Sequence, residues 1–162
     1  MIKVLLSLVA VLLATPADAD PINGPAKAVD PTVIDINGRR IMLFGIDSVM
    51  RKQNCTIDGK VWQCWPVAVR NLEILLDQGP ATCEATGEPD VFGRILARCT
   101  INGQSLNEQL VRKGWAVARP SETTDYVAAQ AAAREAKLGL WQGQFQMPAA
   151  FRRAAGIFVE RP

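Results

Sequence analysis

Apolar residues along this chain recur with two different spacings, one typical of strands and one typical of helices. The run from Ile41 to Ile46 is almost wholly apolar, as in a strand that is buried on both faces. The run Thr32–Ile36 precedes it, and the Asn37-Gly38 pair between the two is a strong short-range signal for a hairpin. The pattern therefore predicts a hairpin that ends at a single acid, Asp47.

Helical spacing appears in three later segments. The first opens at Trp65-Pro66 and stops at Gly79-Pro80, and the second starts at Ser105, where Ser-x-x-Glu forms a capping box. The third is rich in alanine and runs from about Thr124 through Lys137. Further strand-like runs lie at 26–29, 81–86 and 94–101. This order of strands and helices predicts a small α+β domain around an antiparallel barrel or sheet.

The start of the chain has the three parts of a secretory signal peptide. Lys3 gives a positive start, Val4–Ala14 is an apolar run too short to span a bilayer as a helix, and Ala17-Asp18-Ala19 is a cleavage site. An uncleaved N-terminal anchor is the alternative. Cleavage predicts a mature protein that starts near Asp20, has no membrane span, and is periplasmic or secreted.

The charge balance is weak. Eighteen Lys and Arg against sixteen Asp and Glu give a net charge of +2, which neither requires nor excludes a polyanionic partner. Short basic pairs such as Arg152-Arg153 are typical of solvated surface.

Four cysteines in an exported chain predict two disulfides, and four cysteines allow three pairings. We favour Cys55–Cys64 and Cys83–Cys99. Val91 lies midway between positions 83 and 99, so a hairpin folded there places that pair opposite each other. A zinc site is the competing interpretation, and it is weak because the chain has no histidine and no C-x-x-C spacing.

Several motifs resemble those of one family. Ile41–Met50 is similar to the third strand of staphylococcal-nuclease-like (thermonuclease) domains, whose pattern runs Ile-Arg-Leu-x-Gly-Ile-Asp-Ala-Pro-Glu. Phe92-Gly93-Arg94 resembles the family's Tyr-Gly-Arg, and segments 106–116 and 139–141 match as well. The resemblance implies an OB-fold, a five-stranded antiparallel β-barrel with three α-helices. The predicted division is a signal peptide at 1–19, a lead-in at 20–25, the domain at 26–145 and a C-terminal tail at 146–162.

The same resemblance implies a calcium-dependent phosphodiesterase site of two metal-binding aspartates, two arginines and one glutamate. Asp47 stands at the second aspartate and Arg94 at the second arginine, so two of the five positions are retained. Counting without gaps places Thr32, Met42 and Met50 at the other aspartate, the other arginine and the glutamate.

Two further comparisons with the family pattern concern the same site. A shift of two residues in the hairpin would place Asp30 in the first metal position, because a strand keeps the same face after two residues. At the positions of the family's base-stacking tyrosines stand Phe92, Arg119 and Ser121, and Val91 replaces a lysine.

The retained residues also have structural interpretations. Asp47 is placed to cap the turn after its strand, and Arg94 to pair with Asp90 or Glu84. Met42 and Met50 are most simply apolar filler.

These observations predict an exported domain with a degenerate phosphodiesterase site, no cofactor, and a role as a binding module for nucleic acid or protein. One alternative is a weak calcium-dependent endonuclease acting on DNA or RNA. The other is a structural interaction domain in the periplasm.

Overall fold

A mostly antiparallel sheet is the centre of the fold that a computed structural model describes for residues 20–157. The predicted signal peptide lies outside the described residues. In chain order the strands are β1 (Ile22–Gly24), β2 (Ala26–Asp30), β3 (Val33–Ile36), β4 (Arg39–Leu43), β5 (Ile46–Asp47), β6 (Cys55–Ile57), β7 (Lys60–Trp62), β8 (Ala81–Ala85), β9 (Ile95–Ile101), β10 (Gln104–Ser105) and β11 (Val117–Ala118).

The described helices are the three predicted from the sequence, a fourth α-helix and a short 3-10 helix. They are α1 (Cys64–Leu76), α2 (Leu106–Arg112), α3 (Val127–Glu135) and α4 (Pro148–Ala154), with a 3-10 helix at Gly139–Gln142. Ser105 caps α2 as predicted, since its side chain accepts a hydrogen bond from the Glu108 N–H. The fourth helix lies in the tail, for which the sequence analysis predicted no element. None of these helices is long and apolar enough to cross a membrane.

The turns that shape the sheet follow from their sequences. Asn37 and Gly38 have φ angles of 53° and 82°, and Asn102 and Gly103 have 49° and 75°. Positive φ at both central residues is the geometry that Asn-Gly favours in tight hairpins. The first of these turns pairs β3 with β4, and places Met42 opposite Val33.

The seven strands of the main sheet run in the order β1-β8-β9-β4-β3-β2, with β10 beside β9. The sheet is curved, so that β1, at one end of the strand order, approaches β3, near the other end. A Cβ added to Gly24 in β1 would lie only 3.1 Å from Ile36 in β3. A curved, mostly antiparallel sheet with helices packed against it is the α+β architecture that the resemblance to an OB-fold implies.

The main sheet has seven strands where five were predicted, and three further details differ from the predicted antiparallel barrel with three helices. β4 and β9 pair in parallel, because the chain passes through α1 and the reversing strand β8 before it reaches β9. The lead-in at 20–25, expected to be loose, contains β1, which pairs with β8. The tail contains α4.

Two apolar clusters fill the interior. The larger lies between the curved sheet and the inner faces of α1 and α2. The smaller contains Val49, Cys55, Cys64, Ala68 and Leu140, and it joins the loop after β5 to the chain after α3.

Both pairs of cysteines form disulfides, in the pairing that the sequence favours. Cys83 and Cys99 are direct partners on β8 and β9, with their Cα atoms 4.1 Å apart. Cys55 and Cys64 join the start of β6 to the start of α1, at a Cα separation of 5.7 Å. Two disulfides in a chain of this size indicate an oxidising compartment.

Candidate functional site

The six residues that the sequence analysis aligned with the family's metal, arginine and glutamate positions all line one cavity, of about 140 Å³. Val91, by contrast, is 72% exposed and is absent from its lining, and Ser121 lines an adjoining cavity. The lining comprises the predicted Asp30, Thr32, Met42, Asp47, Met50 and Arg94 together with Val33, Ser48, Phe92, Arg119 and Arg152.

The backbone around Gly45 holds the Asp47 side of the cavity. The Gly45 N–H donates a hydrogen bond to Glu122, and its carbonyl accepts one from the Arg119 N–H, at 2.9 and 2.8 Å. Gly45 has a φ of 77°, and a Cβ there would lie 2.5 Å from Thr123, so glycine is required both by conformation and by space. This close approach lets β5 pair with β11, where Asp47 is the partner of Val117.

Asp47 is buried in an ion pair that the sequence analysis did not foresee. Its carboxylate is spanned by Arg152, whose Nη1 donates to Oδ1 at 2.9 Å and whose Nη2 donates to Oδ2. The same Nη1 lies 3.9 Å from the sulfur of Met50. The predicted capping role is also present, because the Ser48 N–H donates to Oδ1 at 2.9 Å.

The assignment of Arg152-Arg153 to solvated surface is wrong for the first of the two. The side chain of Arg152 is 15% exposed, whereas Arg153 on the same helix is exposed. Its hydrogen bonds with Asp47 raise the pKa of Arg152, so the guanidinium stays charged.

The path of the tail explains how Arg152 reaches the cavity. Thr56 and Gln144 exchange two backbone hydrogen bonds of 2.9 and 2.8 Å, and the Gln53 side chain donates to the Gln146 carbonyl. Thr56 follows Cys55, so the disulfide to Cys64 fixes the strand against which the tail lies. Signals for α4 are present in the sequence: Pro148 in the first turn, two arginines in the last, and Gly156 after the end.

On the other side of the cavity, Arg94 is held by contacts with residues close to it in the sequence. Oδ1 of Asp90 accepts the N–H groups of Phe92 and Arg94 at 2.9 and 3.0 Å, and Oδ2 accepts Nε and Nη2 of Arg94 at 2.7 and 2.6 Å. Of the two partners expected for Arg94, the structure therefore selects Asp90 and not Glu84. Burial acts to raise the pKa of Asp90, but the hydrogen bonds from Arg94 and Phe92 outweigh it and hold that pKa below its ordinary value.

Asp30 has a neutral donor as its hydrogen-bond partner. The indole N–H of Trp65 donates to its Oδ2 at 3.2 Å, and the guanidinium of Arg51 lies 4.5 Å from the centre of the Trp65 ring. Burial raises the pKa of Asp30, although the Trp65 hydrogen bond and the nearby Arg51 act to lower it. The surroundings of Asp30 therefore disfavour its ionised form.

The donors in the cavity do not fit the calcium ion that the family resemblance implies. Calcium takes six to eight oxygen ligands. Asp47 is already spanned by Arg152, Asp30 is held by Trp65, and Met50 offers a soft thioether. Within residues 20–157 no group of three or more His, Cys, Asp or Glu is placed to hold a metal ion.

Comparisons with known proteins bear on the same region. The family model of staphylococcal nuclease homologues matches residues 40–143. The chain is also similar to the succinoglycan biosynthesis protein ExoI of Rhizobium meliloti (strain 1021). The two are 31% identical over 130 residues, which make up 78% of this chain and 68% of that protein. The family match includes Asp47 and Arg94, whereas Asp30, Thr32 and Arg152 lie outside it.

Proposed function

Because this chain belongs to the staphylococcal nuclease homologue family, we propose that it binds single-stranded nucleic acid without cleaving it. The observation that carries this proposal is the convergence of three arginines on the cavity: Arg94, Arg119 and Arg152. A phosphodiester in the cavity would meet guanidinium groups on several sides.

Arg94 and Arg119 each have guanidinium N–H groups besides those that the described part of the chain pairs with a carboxylate. A guanidinium has five N–H groups. Arg94 commits its Nε and Nη2 to Asp90, and Arg119 commits its Nε to Glu122 at 3.1 Å. The remaining donors suit a phosphate, whose oxygens accept charge-assisted hydrogen bonds from arginine.

Phe92 adds a surface for a base. Its ring lines the cavity, is 64% exposed, and lies 5.0 Å from the guanidinium carbon of Arg94. Stacking of a base on an exposed aromatic contributes about 1–3 kcal/mol and tolerates any base. A base on Phe92 with its phosphate at Arg94 is the simplest arrangement for a single strand.

Cleavage is excluded from the proposal because three residues in the cavity lack the required chemistry. Thr32 carries no charge, and neither Met42 nor Met50 can orient a water or stabilise negative charge. Loss of one preorganised electrostatic contact lowers a rate by about 10²–10³. Several losses in one site leave too little stabilisation of a transition state, even though such effects are not additive.

The experiment is fluorescence anisotropy with a fluorescein-labelled oligothymidylate, together with a digestion assay in calcium and in chelator. Phe92→Ala should weaken binding about tenfold, as expected from the loss of one stacked base. Val91→Ala is the matched control, since Val91 is the exposed neighbour outside the lining. Wild-type protein that binds no oligonucleotide would contradict the proposal and favour an interaction domain for a protein partner.

A second candidate, a weak calcium-dependent phosphodiesterase, has one observation on its side. Asp30 and Asp47 line the same cavity, as the shifted hairpin alignment requires. Calcium-dependent digestion by the wild type that Asp47→Ala abolishes would establish this candidate and overturn the first.

Export to the periplasm or the medium belongs to the proposal. It is supported by the two disulfides and by the signal-like pattern in residues 1–19. The intact mass of the exported protein should correspond to a chain that starts at or near Asp20. A mass that retains residues 1–19 would contradict export by cleavage.

A further inference from the structure

We propose that Arg152 takes the place that a divalent cation has in a metal-dependent phosphodiesterase, so that the cavity binds a phosphodiester without a metal. The ligand is the backbone of a single-stranded oligonucleotide, and in this respect the inference rests on the proposed function. It goes beyond that function by assigning a residue of the tail to the site and by fixing how binding depends on metal ions.

The first support is where the guanidinium lies. It spans both oxygens of Asp47, the one metal-binding aspartate that the ungapped comparison retains. A positive group therefore occupies the side of the carboxylate that a calcium ion would need, and calcium would have to displace a partly buried ion pair.

The second support is the charge that Arg152 offsets. Without it, the negative charge of Asp47 would face any phosphate that entered the cavity, and like charges at short range repel strongly in a partly buried site. With it, the Asp47–Arg152 pair is neutral overall. The guanidinium uses Nη1 and Nη2 on Asp47, and its remaining N–H groups belong to a side chain that lines the cavity.

The third support is the rigidity of the arrangement. The Arg152 side chain is 15% exposed and touches the sulfur of Met50, and the chain before α4 is held by Thr56 and Gln53. A binding group on a fixed element loses little conformational entropy when its ligand arrives. Because Arg152 lies outside residues 40–143, this feature is not part of the matched family region.

The test measures oligothymidylate binding to the purified full exported chain, by anisotropy, in chelator and in calcium. Wild-type affinity should be the same in both buffers. In chelator, Arg152→Gln should weaken binding about tenfold, the value of one charge-assisted contact, and should lower the slope of log Kd against log salt by about 0.7. Arg153→Gln, an exposed arginine on the same helix, is the matched control and should change little.

A double variant separates a ligand contact from a purely structural ion pair. The double variant Asp47→Asn with Arg152→Gln leaves no unpaired carboxylate at position 47. It should therefore stay folded even if Arg152→Gln alone lowers the melting temperature. If Arg152 served only to neutralise Asp47, the double variant would bind as the wild type does. Binding that stays weak in the double variant supports the proposal, and full recovery overturns it.

The two proposals fail in distinguishable ways. Wild-type binding that disappears in chelator overturns the role of Arg152 and leaves nucleic-acid binding standing. Absence of binding in both buffers overturns the proposed function and, with it, the assignment of a phosphodiester to Arg152. Calorimetric titration of the wild type with calcium alone then tests whether Arg152 excludes the metal from Asp47. No binding of calcium supports that exclusion, and binding of calcium overturns it.

Discussion

Two arginine–aspartate pairs each contribute an arginine to the same cavity, and they are assembled in opposite ways. Arg94 and Asp90 are four residues apart and form within one turn. Arg152 and Asp47 are 105 residues apart and meet because a helix in the tail carries Arg152 to the carboxylate at the end of β5. The first pair depends on local chemistry alone, whereas the second depends on the disulfide-bonded loop that positions the tail.

The partners of the two carboxylates differ accordingly. Asp90 accepts two backbone N–H groups and two from a guanidinium, so its turn and its ion pair stabilise each other. Asp47 has one backbone donor besides Arg152. The local pair should therefore matter most for stability, and the distant pair most for what the cavity binds.

The largest effect should follow from breaking the local pair. Asp90→Ala removes the acceptor of four N–H groups and leaves Arg94, 23% exposed, without its carboxylate. We expect the free energy of unfolding in urea to fall by about 4 kcal/mol, since removal of one partner from a buried ion pair is strongly destabilising. The control is Glu84→Ala, an exposed acid on the neighbouring strand, which should have little effect. Equal losses for both variants would refute the special role of Asp90.

A somewhat smaller effect should follow from loosening the support of the distant pair. Replacing Cys55 and Cys64 together by serine removes a crosslink between residues nine apart, which contributes about 2.5 kcal/mol in the chain-entropy model. Hydrogen exchange should then become faster in α4, while amides around Asp90 keep their protection. Equal acceleration at both places would show that the two sides of the cavity are not independent.

The sequence predicts those parts of the molecule that depend on local rules. The Asn37-Gly38 turn and the Ser105 cap involve residues that are close along the chain. The partner of Arg94 is also local, although the sequence left it open between Asp90 and Glu84. The pairing of Cys83 with Cys99 also follows, because a hairpin fixes its own register. The family pattern extends this to the cavity, because the six residues aligned with its metal, arginine and glutamate positions line it, although Val91 and Ser121 do not.

The remainder requires contacts between residues that are far apart in sequence. Parallel pairing of β4 with β9 depends on the path of the chain through α1. The position of Arg152 depends on the Thr56–Gln144 bridge and on Gly143, where a Cβ would lie 2.1 Å from the Thr56 carbonyl. No local pattern around the arginine encodes these contacts, and a basic pair in a tail is ordinarily solvated.

The smallest effect concerns the third carboxyl of the comparison, Asp30, which has an indole as partner where the other two have an arginine. Because burial raises its pKa above 3.8, the folded protein binds more protons than the unfolded chain between pH 3.8 and that raised value. Stability from this group therefore falls as pH rises through that window, the opposite of Asp90, whose contribution is present above pH 3.8 and lost as pH falls through its lowered pKa.

Asp30→Asn removes the charge and keeps an oxygen that can accept the hydrogen bond from Trp65. The variant should therefore melt higher than the wild type at pH 7, by less than about 4 °C, the shift that 1 kcal/mol gives in a domain of this size. The difference should disappear as the pH is lowered below 3.8, because Asp30 of the wild type is then neutral in both the folded and the unfolded state. Thermal melts at a series of pH values measure it. A difference that stays constant with pH would mean that hydrogen-bond geometry, rather than the burial of a charge, distinguishes the two side chains.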